Sequence, residues 1–263
     1  GFTATRAERL RGVRVLRIPL LETIVTFVGS ANNNIKRNAQ MVEALCARFA
    51  TNIVAEAPID AISTCPGASL KAFPRPRFLY RFPTVSQMAT LTQADFLEMG
   101  WGYRSGRMVK LLCQVVELGR AEKEAGGDGA AAAAATAAAV ATATIDSCGA
   151  DAAAERWLDA VRALPYVDAR DKLTALCGVG RKVADCICLF ALRHDGAIPV
   201  DTHCYQFATR WWCANLARHA GGLSKKKHDA IGDAMRRVFG PRAGWAFMTL
   251  FVGEVHPFRL RLR

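Results

Sequence analysis

The sequence predicts an all-α protein, and three observations predict it. Apolar residues recur at helical spacing in several separated windows: Leu20, Leu21, Ile24, Phe27 and Val28 in one, Ile231, Met235 and Val238 in another. Capping residues and glycine or proline breaks punctuate those windows, as at Asn32–Asn34, Gly100, Ser224 and Gly240-Pro241. The stretch Leu173 to Arg210 reads as three helices joined by a tight glycine turn and a short extended segment.

In chain order, residues 1–17 read as the tail of an upstream region, and the helical domain is expected to occupy 18–124 and 155–263. A first helix runs from Pro19 to a break at Gly29-Ser30. A second ends near Phe49, with Ile35, Met41, Val42 and Leu45 inward. The asparagines between them suit a helix cap. Residues 51–83, with Pro58, Pro66, Pro74, Pro76 and Pro83, are expected to be irregular. Two short helices between Thr84 and Gly100 follow, then a long one from Ser105 to about Glu122. Residues 125–154 are a long Ala-rich, low-complexity insertion, too weakly apolar to span a membrane. Beyond the organising stretch, Ser224 caps a helix to about Phe239, and a last helix runs from Ala243 to about Val255.

The organising stretch carries the chemistry. A helix from about Ala169 to Leu176 meets the turn Cys177-Gly178-Val179-Gly180, and a strongly apolar helix leaves from Arg181. Successive backbone N–H groups running into a helix N-terminus form an anion socket that suits a phosphate. Lys182 stands in the first turn, beside Arg181 and ahead of Val183, Ala184, Ile187, Leu189 and Phe190. Helix dipole, like charge and desolvation all lower an amine pKa there, which is how an amine becomes a nucleophile. Cys186, four residues on, shares its face. A plain phosphate contact by Lys182 fits the same spacing. The extended Ile198-Pro199-Val200 then delivers Asp201 to the start of a third helix.

Composition bounds the partner. The chain has 263 residues, a formal net charge of +12 and a pI of about 9.6. A polyanion, and nucleic acid by default, is the expected partner. An acidic membrane surface competes, but no basic amphipathic helix with exposed bulky apolar residues supports it. The nine cysteines lack the spacing of a disulfide framework and suggest a reducing compartment. No signal peptide is visible, and the chain opens on Gly1, so an upstream part is expected.

The run GVGRKVADCICL followed by PVDTH resembles the helix–hairpin–helix DNA glycosylases, and within them the eukaryotic 8-oxoguanine DNA glycosylases. SANNNIKR, Gly102-Tyr103-Arg104 and GPRAGWA extend the resemblance over the chain, apart from the Ala-rich insertion. It implies a two-lobed fold, no cofactor or metal, damaged double-stranded DNA as partner, a monomer, and the nucleus (or mitochondrion) as location. It implies Lys182 as the amine that displaces the damaged base and forms a Schiff base, and Asp201 as the carboxylate that stabilises the charged sugar. Cys186 and Phe251 would flank the flipped base, with Phe247 beside them. The backbone of Gly178, Val179 and Gly180, with His203, would hold phosphates. Asn32, Arg37 and Arg104 would face the orphaned cytosine, and Tyr103 would wedge into the duplex.

Three departures from that family stand out. Cys177 replaces a hairpin proline. Phe247 replaces a glutamine that reads the base edge, which bears on discrimination. The family's amino-terminal β-rich domain is absent from this sequence. A non-catalytic duplex-binding module, or a glycosylase for another damaged base, is the alternative reading. The pair Lys182 and Asp201 separates catalysis from binding alone. An iron–sulfur cluster is excluded, with only Cys204 and Cys213 past the second hairpin helix, and Lys182 argues against the monofunctional alkylpurine glycosylases. A zinc site from Cys186, Cys188, His203 and Cys204 has no usual spacing.

Overall fold

The structure, a computed structural model, describes residues 10, 12–56, 78–124, 149–211 and 223–254. Its helices are α1 Leu20–Ser30, α2 Ile35–Ala47, α3 Val85–Ala89, α4 Gln93–Glu98, α5 Ser105–Glu124, α6 Ala150–Arg162, α7 Tyr166–Thr174, α8 Arg181–Phe190, α9 Thr202–Trp211, α10 Lys225–Phe239 and α11 Ala243–Glu254. The all-α expectation holds. One small exception falls in the segment expected to be irregular, where β1 Ile53–Glu56 pairs antiparallel with β2 Phe78–Tyr80. The prolines of 51–83 hid it, because they lie outside both strands. The chain divides into two compact units.

One unit comprises Ile24–Ala163 and Ala175–Gly178. Its core gathers Ile24, Leu45, Phe96, Trp101, Leu111 and Trp157, all buried. Thr84 and Thr92 open α3 and α4 with capping boxes, closed by Gln87 and Asp95. The closest helix packing is α5 against α6. A Cβ on Gly119 would fall 1.7 Å from the Ala153 carbonyl oxygen, so only glycine admits this approach. Arg156 Nε seals it by donating to Gly119 O at 3.0 Å.

Two details of this unit differ from the sequence reading. α6 starts at Ala150, inside the stretch assigned to the insertion, and Ala150, Ala153 and Ala154 are buried. Alanine is small enough to let two helix backbones meet there. Asp151 then accepts from Ser86 N at 2.8 Å and Ser86 Oγ at 2.5 Å, so one carboxylate serves the N-termini of α3 and α6. Ile35, expected inward, is exposed, because it is the first residue of α2 and projects ahead of the buried Met41 and Leu45.

The other unit comprises Gly1–Thr23, Leu164–Thr174 and Val179–Arg263. Its core joins Val200, Phe207, Ile231, Met235, Phe247 and Leu250. Val238 lies in the last turn of α10, past Met235, and is exposed rather than inward. α7 opens three residues before the expected Ala169. Pro165 accepts the first helical bond from Ala169 N, and a proline ahead of a helix start is pre-organised for it. Of the residues read as an upstream tail, Val15 is buried and Arg17 pairs with Asp195 at 2.6 Å in this unit, and the next residue, Ile18, donates its N–H to Phe190 O.

Candidate active site

The hairpin is built as its glycines require. Gly178 has φ +85°, the left-handed region, and a Cβ there would press on Val28 at 3.2 Å. Cys177 N donates to Gln114 Oε1 at 2.7 Å, which fixes the turn where the family's proline would stiffen it. Gly180 is the N-cap of α8 and makes no side-chain cap bond. The first helical bond runs from Ala184 N to Gly180 O. The N–H groups ahead of it lie at the positive end of the helix dipole without a side-chain cap, an arrangement that accepts an anion.

Lys182 and Asp201 both act on Cys186. Cys186 is 3% exposed, and burial pushes its thiol up to about 11. The Lys182 amine, within hydrogen-bonding reach, pulls it back down, whereas Asp185 and Asp201 push it up. The amine and the Asp201 carboxylate therefore both act on one buried thiol. Asp201 also caps α9, accepting from Cys204 N at 2.9 Å. Its approach is held rigid by the buried run Ile198, Pro199 and Val200.

Glycine explains GPRAGWA. A Cβ on Gly244 would lie 2.5 Å from Leu189 Cδ1, 2.6 Å from Ala197 O and 2.7 Å from Asp195 O. Gly244 N donates to Asp195 O at 2.7 Å. The start of α11 is thereby pressed against both the end of α8 and the segment leading to Asp201.

The aromatic residues part company. His203 is exposed and meets the half-buried Phe251 edge-on, with ring centroids 6.2 Å apart. Phe247, expected beside the base, is 3% exposed and packs in the core between Phe207 at 6.1 Å and Phe251 at 5.8 Å. An apolar ring at that position is more stable buried than presented to water, so it supports Phe251 from behind.

In the other unit, the three asparagines divide their tasks. Asn34 caps α2, accepting from Arg37 N at 2.8 Å. Asn33 donates to Gly29 O at 3.0 Å. Asn32 is exposed with φ +48°, a conformation that asparagine tolerates. Arg37 is exposed and donates to Gly100 O at 3.2 Å. Tyr103 is 54% exposed, and its hydroxyl donates to Ala31 O at 3.0 Å.

Arg104 corrects the sequence reading. It is only 2% exposed, and its guanidinium donates to Ala31 O and Asn32 O, the latter at 2.9 Å. It also lies 4.3 Å from the Tyr103 ring centroid. Its donors are committed to the carbonyls that shape the Asn32 turn, so it braces Asn32 and Tyr103 rather than reaching outward.

Sequence reasoning passed over a second group of residues. Asp185, the one carboxylate inside the apolar run VADCICLF, is fully buried. Its Oδ1 accepts from the Tyr166 hydroxyl at 2.7 Å, and its Oδ2 lies 3.4 Å from His228 Nε2. Arg181 pairs with Asp229, which Arg170 approaches to 3.7 Å. A lone charge in an otherwise apolar run was the available signal. Among the described residues, no cluster could hold a metal ion and no helix is long and apolar enough to cross a membrane.

No protein-family model matches the chain. It is 30% identical to the N-glycosylase/DNA lyase OGG1 of Arabidopsis thaliana over 249 residues, which cover 95% of this chain and 54% of that protein. It is 29% identical to the N-glycosylase/DNA lyase of Saccharomyces cerevisiae over 260 residues, covering 93% and 57%. The chain thus spans just over half the length of these curated relatives. The fold matches that of Clostridium acetobutylicum 8-oxoguanine glycosylase/lyase in complex with DNA containing cytosine opposite 8-oxoG. The TM-score is 0.59 at 21% identity, over 95% of this chain and 69% of that one. Hairpin, capped carboxylate and helical units together define a protein with the helix–hairpin–helix DNA glycosylase fold. Within that class, the chain is similar to the OGG1-type N-glycosylase/DNA lyases.

Proposed function

We propose that this chain is a bifunctional glycosylase/lyase that removes an oxidised purine, 8-oxoguanine, from double-stranded DNA. The amine of Lys182 within hydrogen-bonding reach of the buried Cys186 thiol, with the Asp201 carboxylate acting on the same thiol, carries the reading, because duplex binding alone needs neither a half-buried amine nor a carboxylate at that thiol. A base inside a duplex is out of reach, so the nucleotide is first flipped out, at a cost of a few kcal/mol. The open N-terminus of α8 suits a backbone phosphate.

The Lys182 amine then forms a bond to C1′ of the sugar as the base departs with the electrons of the glycosidic bond. The carboxylate of Asp201 stabilises the positive charge that develops on the sugar. Ring opening converts the adduct to an iminium ion. Loss of a C2′ proton expels the 3′ phosphate and nicks the strand. In this reading Asn32, Tyr103 and Arg37 contact the duplex.

We assign the chain a monomeric state and a nuclear location, with the mitochondrion as the alternative. The test is borohydride trapping on a duplex carrying 8-oxoguanine opposite cytosine. The parent chain should be trapped, and Lys182→Gln should abolish trapping while retaining affinity for the duplex. Affinity without trapping on any damaged base would favour the non-catalytic module, and trapping on a different base would replace 8-oxoguanine as substrate.

A further inference from the structure

Beneath the hairpin lies a buried polar network that the proposed reaction does not use. Asp185 sits on α8 three residues from Lys182, at a spacing that brings side chains together along a helix, and directly precedes Cys186 in sequence. The carboxylate is 0% exposed. A buried charge without partners would cost far more than the hydrophobic residue that could replace it.

Its partners come from two other helices. Tyr166 of α7 donates to Oδ1 at 2.7 Å, and His228 of α10 faces Oδ2 at 3.4 Å. Neither Oδ2 nor His228 Nε2 has a hydrogen bond of standard geometry to another described residue. Arg170 of α7 lies 3.5 Å from the Tyr166 hydroxyl, and its guanidinium stands 5.2 Å from that ring's centroid. Arg181 of α8 and Asp229 of α10 pair at the hairpin end, and Cys186, Cys188, Arg170, Arg181 and Arg236 all interact electrostatically with the carboxylate.

The network continues to the other catalytic group. The Arg236 guanidinium lies 5.7 Å from the centre of the Tyr166 ring. Its Nη1 donates to Gly196 O at 3.3 Å, at the head of the buried segment that ends in Asp201. One connected set of contacts therefore runs from the helix that carries the amine, through Tyr166, to the segment that carries the carboxylate.

We propose that Asp185 and Tyr166 are positioning residues: with Arg236, they set the Lys182 amine against the Asp201 carboxylate. The inference rests on the glycosylase/lyase reading, because it assumes that these two groups react. Neither residue need touch DNA. Their effect is on the geometry of the amine, to which a covalent step is steeply sensitive.

The test measures single-turnover borohydride trapping on a duplex with a preformed abasic site, alongside the Kd for an uncleavable duplex. Tyr166→Phe removes one hydroxyl and keeps the ring between Arg170, Arg236 and His194. It should slow trapping about tenfold and change Kd by less than about twofold, since a misplacement well under 1 Å suffices for such a loss. Asp185→Asn retains an oxygen for the Tyr166 hydroxyl and should recover most of the rate, whereas Asp185→Ala should not.

Trapping by Tyr166→Phe at the parent rate would overturn the proposal. So would a loss of rate matched by an equal loss of affinity, which is what a loosened fold produces. If the parent chain itself is not trapped, the glycosylase/lyase reading falls and takes this inference with it. Those outcomes are distinct, because the parent is measured first.

Discussion

Replacing Asp185 by asparagine should change how stability depends on pH, by an amount the structure sets. Burial raises the Asp185 carboxyl from its usual 3.8 to about 6, against the pull of the Tyr166 hydroxyl and of Arg170, Arg181 and Arg236. Burial likewise lowers His228 from 6.5 to about 4, with Arg181 adding to it. The signs are opposite. A carboxyl raised by folding takes up a proton on folding, so its contribution is greatest below pH 3.8 and is lost as pH rises through about 6. An imidazole lowered by folding contributes fully above pH 6.5 and is lost as pH falls through about 4. Between roughly pH 4 and 6 the unfolded pair holds its proton on the imidazole and the folded pair holds it on the carboxyl. Their slopes cancel there.

Asparagine removes the carboxyl limb and leaves the imidazole limb. The carboxyl shift, at about 1.4 kcal/mol per pH unit, is worth roughly 3 kcal/mol. Relative to the parent, Asp185→Asn should therefore gain roughly 2 kcal/mol between pH 4 and pH 7, all other ionisable groups contributing equally to both proteins. Urea unfolding followed by the fluorescence of Trp211 and Trp245 would register this as a relative midpoint shift on the order of 1 M. Parallel profiles for the two proteins, within about 0.5 kcal/mol across that range, would refute the assignment of a raised Asp185 carboxyl.

Two further outcomes follow from close backbone approaches. Gly244→Ala should lower stability by about 2–3 kcal/mol, because two of the three atoms its Cβ would meet are backbone oxygens that cannot rotate away. Trapping should weaken with it, since Ala197 and Asp195 lie on the segment leading to Asp201, and an unchanged urea midpoint would contradict this. Gly119→Ala should be more severe, at least about 3 kcal/mol, because the added carbon would overlap the Ala153 carbonyl outright. A soluble variant with the parent's midpoint would show that α5 and α6 are less tightly apposed than described.

Much of the helical architecture was legible in the sequence, because apolar spacing and capping residues act locally. Ser224, Asn34 and Thr84 all cap the helices that their types suggest. The hairpin was legible for the same reason, since a left-handed Gly178 and a capping Asp201 are local demands. What stayed hidden depends on contacts between distant segments. Nothing near Asp185 in sequence announces Tyr166 nineteen residues earlier, or His228 on another helix. Arg104 read as an outward contact from the Gly-Tyr-Arg resemblance, and only the fold reveals the Ala31 and Asn32 carbonyls that receive it. Phe247 was placed by its motif, whereas its burial between Phe207 and Phe251 follows from packing.

The pairing of Arg17 with Asp195 joins residues 178 positions apart, and Ile18 is bonded to Phe190 beside it. On a ribosome adding about 5–20 residues per second, Arg17 emerges roughly 10–35 s before its partner exists. Ile24–Ala163, nearly the whole of one unit, is synthesised in one unbroken run during that interval. The strip from Val15 to Pro19 must meanwhile stay unpaired, its backbone donor at Ile18 and its apolar Val15 open to chaperones or to a wrong strand. The unit that holds Lys182 and Asp201 is therefore completed last, and these two residues reach their final setting only when the chain is nearly complete.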